Sequence, residues 1–127
     1  MGFIKSQAQD AQHYITYHDT AHLQKRSEGD RLEGKETGLW KYWYPNGKLS
    51  EEAEFRRGFI NGKQVLYYQN GQVEIENYYK RGFRDSIYLA WYENGKQHEK
   101  GAFENDACSG LWEFWYEDGK KWKTEEC

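Results

Sequence analysis

Three histidines and an aspartate, His13, His18, Asp19 and His22, fall close together near the start of the chain. Imidazoles and a carboxylate are donors that zinc and its neighbours accept, and spacings of four and five residues would join two imidazoles on one helix face. The flanking residues read instead as a short strand, Tyr14-Ile15-Thr16-Tyr17, running into a turn at His18-Asp19-Thr20. No third ligand is placed there, so these side chains are expected to be solvated and no metal or other cofactor is expected. Cys108 with a histidine is the other nucleophilic combination, but Cys108 lies in an expected connection and no base is set beside it,. Glu52 and Glu76 stand 24 residues apart, with Glu54 and Glu74 expected on the same polar face. Paired carboxylates do acid–base work only beside a pocket that raises one pKa, and nothing here signals such a pocket. These four glutamates read as a solvated face or as an acidic strip for a partner. The chain is not expected to be an enzyme.

The elements that would position these groups recur strictly. Tyr44-Pro45-Asn46-Gly47-Lys48, Tyr68-Gln69-Asn70-Gly71-Gln72, Tyr92-Glu93-Asn94-Gly95-Lys96 and Tyr116-Glu117-Asp118-Gly119-Lys120 are four copies of one phrase at intervals of 24 residues. A fixed period of this size marks a supersecondary unit stacked on its own copies. Asn-Gly or Asp-Gly between apolar runs is a hairpin signal, with positive φ expected across the pair. A strand precedes each turn, over 38–44, 62–68, 86–92 and 110–116, and a second follows it. Leu49, Ala53 and Phe55 alternate with Ser50, Glu52 and Glu54, which is the period of a half-solvated antiparallel strand,. The segments 57–61, 81–85 and 105–109 read as longer connections, with Gly58 and Gly82 at equivalent places. The last strand, 121–127, is mostly polar and is expected to be a frayed cap.

The expected fold is therefore all-β: an antiparallel meander of repeated hairpins, with roughly eight to ten strands about 40–45 Å across at about 4.8 Å per strand. The expected organisation is a tail or short helix over 1–12 and a degenerate first repeat over 13–37. Repeats at 38–61, 62–85 and 86–109 and a partial one at 110–127 follow.

Among 127 residues, 18 are basic and 21 acidic, a net charge of −3. No basic run stands out, so nucleic acid is not an expected partner. No segment is apolar and long enough for stable membrane insertion,. The two cysteines, Cys108 and Cys127, lack metal-site spacing, and reduced thiols in a cytoplasm are the expectation,. Gly2 and Ser6 fit the spacing of an N-myristoylation pattern, which is a common chance match,. Homo-oligomerisation is left open.

Aromatic residues make up 18% of the chain. One residue before each turn tyrosine stands another ring: Trp43, Tyr67, Trp91 and Trp115. Alternation places this row opposite Tyr44, Tyr68, Tyr92 and Tyr116. A lone sheet cannot bury both rows. The turn tyrosines are expected to be the core, leaving the other row as candidate anchors for a partner.

The phrase Gly-Leu-Trp-x-Tyr/Phe-Trp-Tyr-x-Asn/Asp-Gly-Lys, at 38–48 and again at 110–120, resembles the MORN-repeat variant family. The likeness covers 30–127 well and 13–29 poorly, and it implies an elongated, twisted sheet of hairpins. Small proteins built almost wholly of this variant are often bacterial antitoxins or immunity proteins. What the resemblance implies is thus a protein toxin as partner, masked by direct binding. The alternative it offers is a scaffold or membrane-associated module. Ser86 departs from the pattern, standing where the other units have glycine.

Overall fold

The computed structural model describes residues 10–127. The Gly2/Ser6 pattern and residues 1–9 of the expected tail lie outside the described residues.

Among the described residues, eleven strands form one antiparallel sheet: β1 (Gln12–Tyr17), β2 (Lys25–Leu32), β3 (Lys35–Trp43), β4 (Leu49–Arg56), β5 (Phe59–Tyr67), β6 (Val73–Lys80), β7 (Phe83–Arg84), β8 (Ser86–Trp91), β9 (Gln97–Glu104), β10 (Ala107–Trp115) and β11 (Lys121–Glu126). Each strand pairs with the next in sequence, except that β7 and β8 both pair with β6. These two are one strand interrupted at Asp85. The degenerate first hairpin is real: β1 and β2 pair over 12–31, His22 takes the positive φ of the missing glycine at 59°, and the Asp19 carboxylate closes the turn. That carboxylate accepts the N–H groups of Leu23 and Gln24 at 3.1 and 3.0 Å.

Two kinds of turn alternate. At the Tyr-x-Asn-Gly turns the glycine alone has positive φ, 86° at Gly47. The tyrosine carbonyl accepts the glycine N–H, and the asparagine side chain accepts the N–H two residues on, as in Asn46 to Lys48 at 2.9 Å. These are type I turns closed by a left-handed glycine, and asparagine acts as a hydrogen-bond acceptor where a second positive φ was expected. The opposite edge corrects the expected long connections. Glu33-Gly34, Arg57-Gly58, Arg81-Gly82 and Asn105-Asp106 each carry two positive φ values and join strands that run up to them. These are two-residue hairpins of the I′ kind.

Side-chain links tie each unit to the next. The Oη of Tyr44 donates to the carbonyl of Tyr67, that of Tyr68 to Trp91 and that of Tyr92 to Trp115, the latter two at 2.6 Å. On the other edge, backbone N–H groups of Gly58, Gly82 and Asp106 donate to carbonyls of Glu36, Ile60 and Arg84.

The core differs from the expectation. Its buried apolar residues are Trp40, Ala53, Val65 and Ala90. The turn tyrosines are half-buried or exposed and work through their hydroxyls. Trp40 lies across Gly29 and Trp112 across Gly101 so closely that a Cβ on either glycine would overlap the indole. The small residues at 29, 53, 77 and 101 thus form a trough, one per repeat, into which this face folds its rings. Around Trp112 the centroids of Tyr88 and Phe103 stand at 5.3 and 5.2 Å. Aromatic clusters of this kind supply large buried area where aliphatic residues are few.

The expectation of reduced thiols is also overturned. Cys108 and Cys127 form a disulfide, with Cα atoms 5.8 Å apart, a separation a bridge accommodates. The β10–β11 hairpin folds the chain end back, and the Cys127 N–H donates to the Gly110 carbonyl at 3.0 Å. The final strand is thereby a paired edge, where a frayed cap was expected. The argument for a cytoplasm from free thiols falls with it.

Candidate functional site

Cross-strand partners share a face, so the register sorts the side chains. On the face opposite the Trp40 cluster, Glu28, Lys41, Glu52, Val65, Glu76, Leu89, Lys100 and Glu113 are successive partners across the sheet. Glu54 is on this face too, opposite Leu39. The strip is therefore interleaved with lysines, and Lys63 pairs with Glu76 at 2.8 Å.

At its centre, Glu52, Glu54, Glu76, Tyr67, Lys63, Val65, Val73 and Leu39 line a shallow hollow of about 260 Å³. Tyr67 donates to Glu52 at 2.6 Å. Burial, that hydrogen bond and the charges of Glu52 and Glu76 together push the Tyr67 phenol up to about 12. The phenol thus remains a neutral donor through the physiological range. The hollow is open to solvent along the strip.

Glu74 leaves this group. Tyr67 pairs with Val73 while Leu66 pairs with Ile75, so Glu74 is the extra residue of a β-bulge,. Its charge acts on Tyr68, on the other side of the sheet from Glu52. Ser50, His98 and Trp122 occupy the same bulge position in their units; His98 stacks on Tyr92, and the Trp122 ring is centred 5.7 Å from that of Tyr116. The alternation argument failed there because one inserted residue reverses every side chain beyond it.

Trp43, Tyr67, Trp91 and Trp115 share the hollow's face and are all half-buried. The Nζ of Lys25 lies 5.7 Å from the Trp43 ring and that of Lys121 lies 5.5 Å from the Trp115 ring. The histidines do not converge. His13 bridges Glu28 and Asp30 at 2.7 Å each, His18 meets the Trp43 carbonyl, and His22 stacks on Tyr17. Asp30, then Glu28, raises the His13 pKa. Among the described residues no group of three such side chains could hold a metal ion.

The absence of a basic patch in the sequence does not carry over to the fold. Lys35, Arg56, Arg57 and Arg81 come together along the edge of tight turns, from three hairpins. The signal available was positional, since Arg57 and Arg81 are 24 residues apart.

The described residues thus form a single-layer sheet of repeated hairpins with shallow, ring-bearing surfaces. Segments 36–57, 60–81 and 109–126 match the family model of the MORN repeat variant. In these three segments the hairpin unit is similar to a MORN repeat, a similarity that suggests a protein-interaction module. The third unit, where Ser86 holds a φ of 72° at a position glycine fills in its neighbours, falls outside the matched segments. No curated protein matches the chain.

Proposed function

We propose that this protein acts by stoichiometric binding of a protein partner, as an antitoxin or immunity protein that occludes the working surface of a toxin. The observation carrying this reading is the row Trp43, Tyr67, Trp91 and Trp115 on a face that no second layer of the described residues covers, beside the hollow of Glu52, Glu54 and Glu76. Half-buried tryptophan and tyrosine are the side chains that most often anchor interfaces, and surrounding charges steer and register the partner. The face alternates glutamate with lysine, so a matching partner surface alternates too. No catalysis is assigned to it, and the partner is inactivated by being covered.

The test is calorimetry with the product of a neighbouring toxin gene. Trp43→Ala and Trp91→Ala are each expected to weaken the complex by about 2 kcal/mol, while circular dichroism shows the sheet intact. Unchanged affinity in both variants overturns the anchor mechanism. Flotation with anionic vesicles without toxin binding would favour a membrane-associated scaffold instead.

A further inference from the structure

We propose that the tight-turn edge carries a second binding site, for the carboxylates of an acidic protein segment, built by Arg56, Arg57 and Arg81 around Phe59. The inference rests on the reading of this protein as a protein-interaction module and adds a basic surface to the mixed-charge one described above.

Turns Arg57-Gly58 and Arg81-Gly82 stand side by side, two strands or about 10 Å apart. Arg56, Arg57, Phe59, Asn61 and Arg81 line one hollow of about 330 Å³. Phe59 is 60% exposed, yet its ring is held in place. A Cβ at Gly82 would stand 3.1 Å from its Cδ1, so the glycine lets the phenyl ring lie against the next turn. Asn61 Oδ1 accepts the Arg81 N–H at 2.9 Å and fixes that turn in turn. The result is an apolar floor flanked by guanidinium groups.

Those groups lack counter-ions. Arg31 pairs with Glu36 at 3.6 Å and Arg84 with Asp106 at 2.7 Å. Among the described residues, Arg56, Arg57 and Arg81 have no carboxylate within 4.0 Å. Two of them also sit where the backbone disfavours them. Arg57 and Arg81 have φ of 52° and 53°, in the turn position that asparagine takes with less strain and that Asn105 fills in the fourth tight turn,. Local turn chemistry therefore does not account for arginine at both.

A guanidinium fork matches a carboxylate in two parallel hydrogen bonds, and the exposed phenyl ring calls for an apolar side chain beside it. A protein segment mixing acidic and apolar residues supplies both. An extended polyanion fits less well. Glu33 and Glu36 bound the patch on one side and Glu104 and Asp106 on the other, and a bilayer or duplex spanning the edge would meet them,.

The experiment uses the full chain and a fluorescent peptide of alternating glutamate and phenylalanine, with a lysine–phenylalanine peptide as control. Fluorescence anisotropy at low salt should show binding of the acidic peptide alone. Arg57→Asn with Arg81→Asn, residues the turns favour, should weaken it at least about 10-fold with the circular dichroism unchanged. Lys48→Gln, in the turn between β3 and β4 at the opposite strand ends, should leave it unchanged. Equal binding by parent and double variant overturns the site, as does arginine-dependent flotation on phosphatidylserine vesicles without peptide binding. If the peptide fails while a toxin still binds through Trp43 and Trp91, this inference alone is lost. Peptide binding that survives failure of the toxin assay supports this edge and removes the function proposed for the face.

Discussion

Gly101 offers the sharpest test of how this sheet builds its core. Its φ lies outside the left-handed region, so its backbone accepts any residue. What excludes a side chain is Trp112, whose indole carbons a Cβ at 101 would overlap. The ring has little room to retreat, with Tyr88 centred 5.3 Å away, Phe103 at 5.2 Å and Phe114 at 6.5 Å. Gly101→Ala should therefore cost what forced repacking costs, about 1–3 kcal/mol. That figure is offset by about 0.4–1 kcal/mol from the reduced freedom of the unfolded chain. In a Trp112→Ala background the obstruction is gone and only the favourable part survives. Gly101→Ala should then be neutral or stabilising, giving a coupling of about 2 kcal/mol between the two sites, within the range for residues in contact. Urea unfolding of the four proteins, followed by circular dichroism with the disulfide kept oxidised, measures it. Additivity within about 0.5 kcal/mol would refute the trough. Gly71→Ala is the control. Nothing lies within 4 Å of a Cβ there and its φ is 90°, so its cost is backbone strain of about 1–2 kcal/mol that no truncation relieves.

Tyr68→Phe removes the hydroxyl that reaches the Trp91 carbonyl at 2.6 Å; about 1 kcal/mol should be lost, with faster amide exchange over 86–92, and an unchanged urea midpoint would rule out the link. His13 is held above its ordinary pKa of 6.5 by Asp30 and Glu28. Its contribution to the first hairpin is then full below pH 6.5 and lost as pH rises through the folded value, so the urea midpoint should fall between pH 5.5 and 8.5 by more in the parent than in His13→Gln. The Tyr67 phenol, near 12 through burial and Glu52, contributes stability below pH 10 that is lost as pH rises through that value,. Glu52→Gln should lower its midpoint in an absorbance titration at about 295 nm; an unmoved midpoint would sink the assignment.

The period of 24 and the glycine turns made the meander legible, because hairpin chemistry is local,. Which tryptophans form the core was not legible from alternation, since Trp40 and Trp43 both head ring-bearing rows on opposite faces. The deciding signal lies elsewhere: Gly29, Ala53, Asn77 and Gly101 are small and evenly spaced, and only one face has such a trough. The bulge at Glu74 hid itself because a single extra residue leaves composition unchanged while reversing the face. The disulfide was hidden for a topological reason, as its cysteines meet only once the last hairpin has closed. The Arg57 and Arg81 turns read as connections because arginine is not a turn residue, and that mismatch is now part of the case for their function.

A single sheet gains its rigidity from its edges, and this has a consequence for binding. Each unit is tied to the next by a tyrosine hydroxyl on one edge and a backbone N–H on the other. The links run between strand ends and leave the two faces largely unencumbered. The half-buried rings of Trp43, Tyr67, Trp91 and Trp115 are consequently carried on strands whose register these links help to hold. A surface ordered in advance loses less freedom on association than a flexible one. Loosening an edge link should therefore weaken binding even where the anchor rings are untouched, so Tyr68→Phe is expected to lower partner affinity by less than Trp91→Ala but measurably. Equal affinity for Tyr68→Phe and the parent protein would mean that the face orders itself on contact and that the edge links serve stability alone.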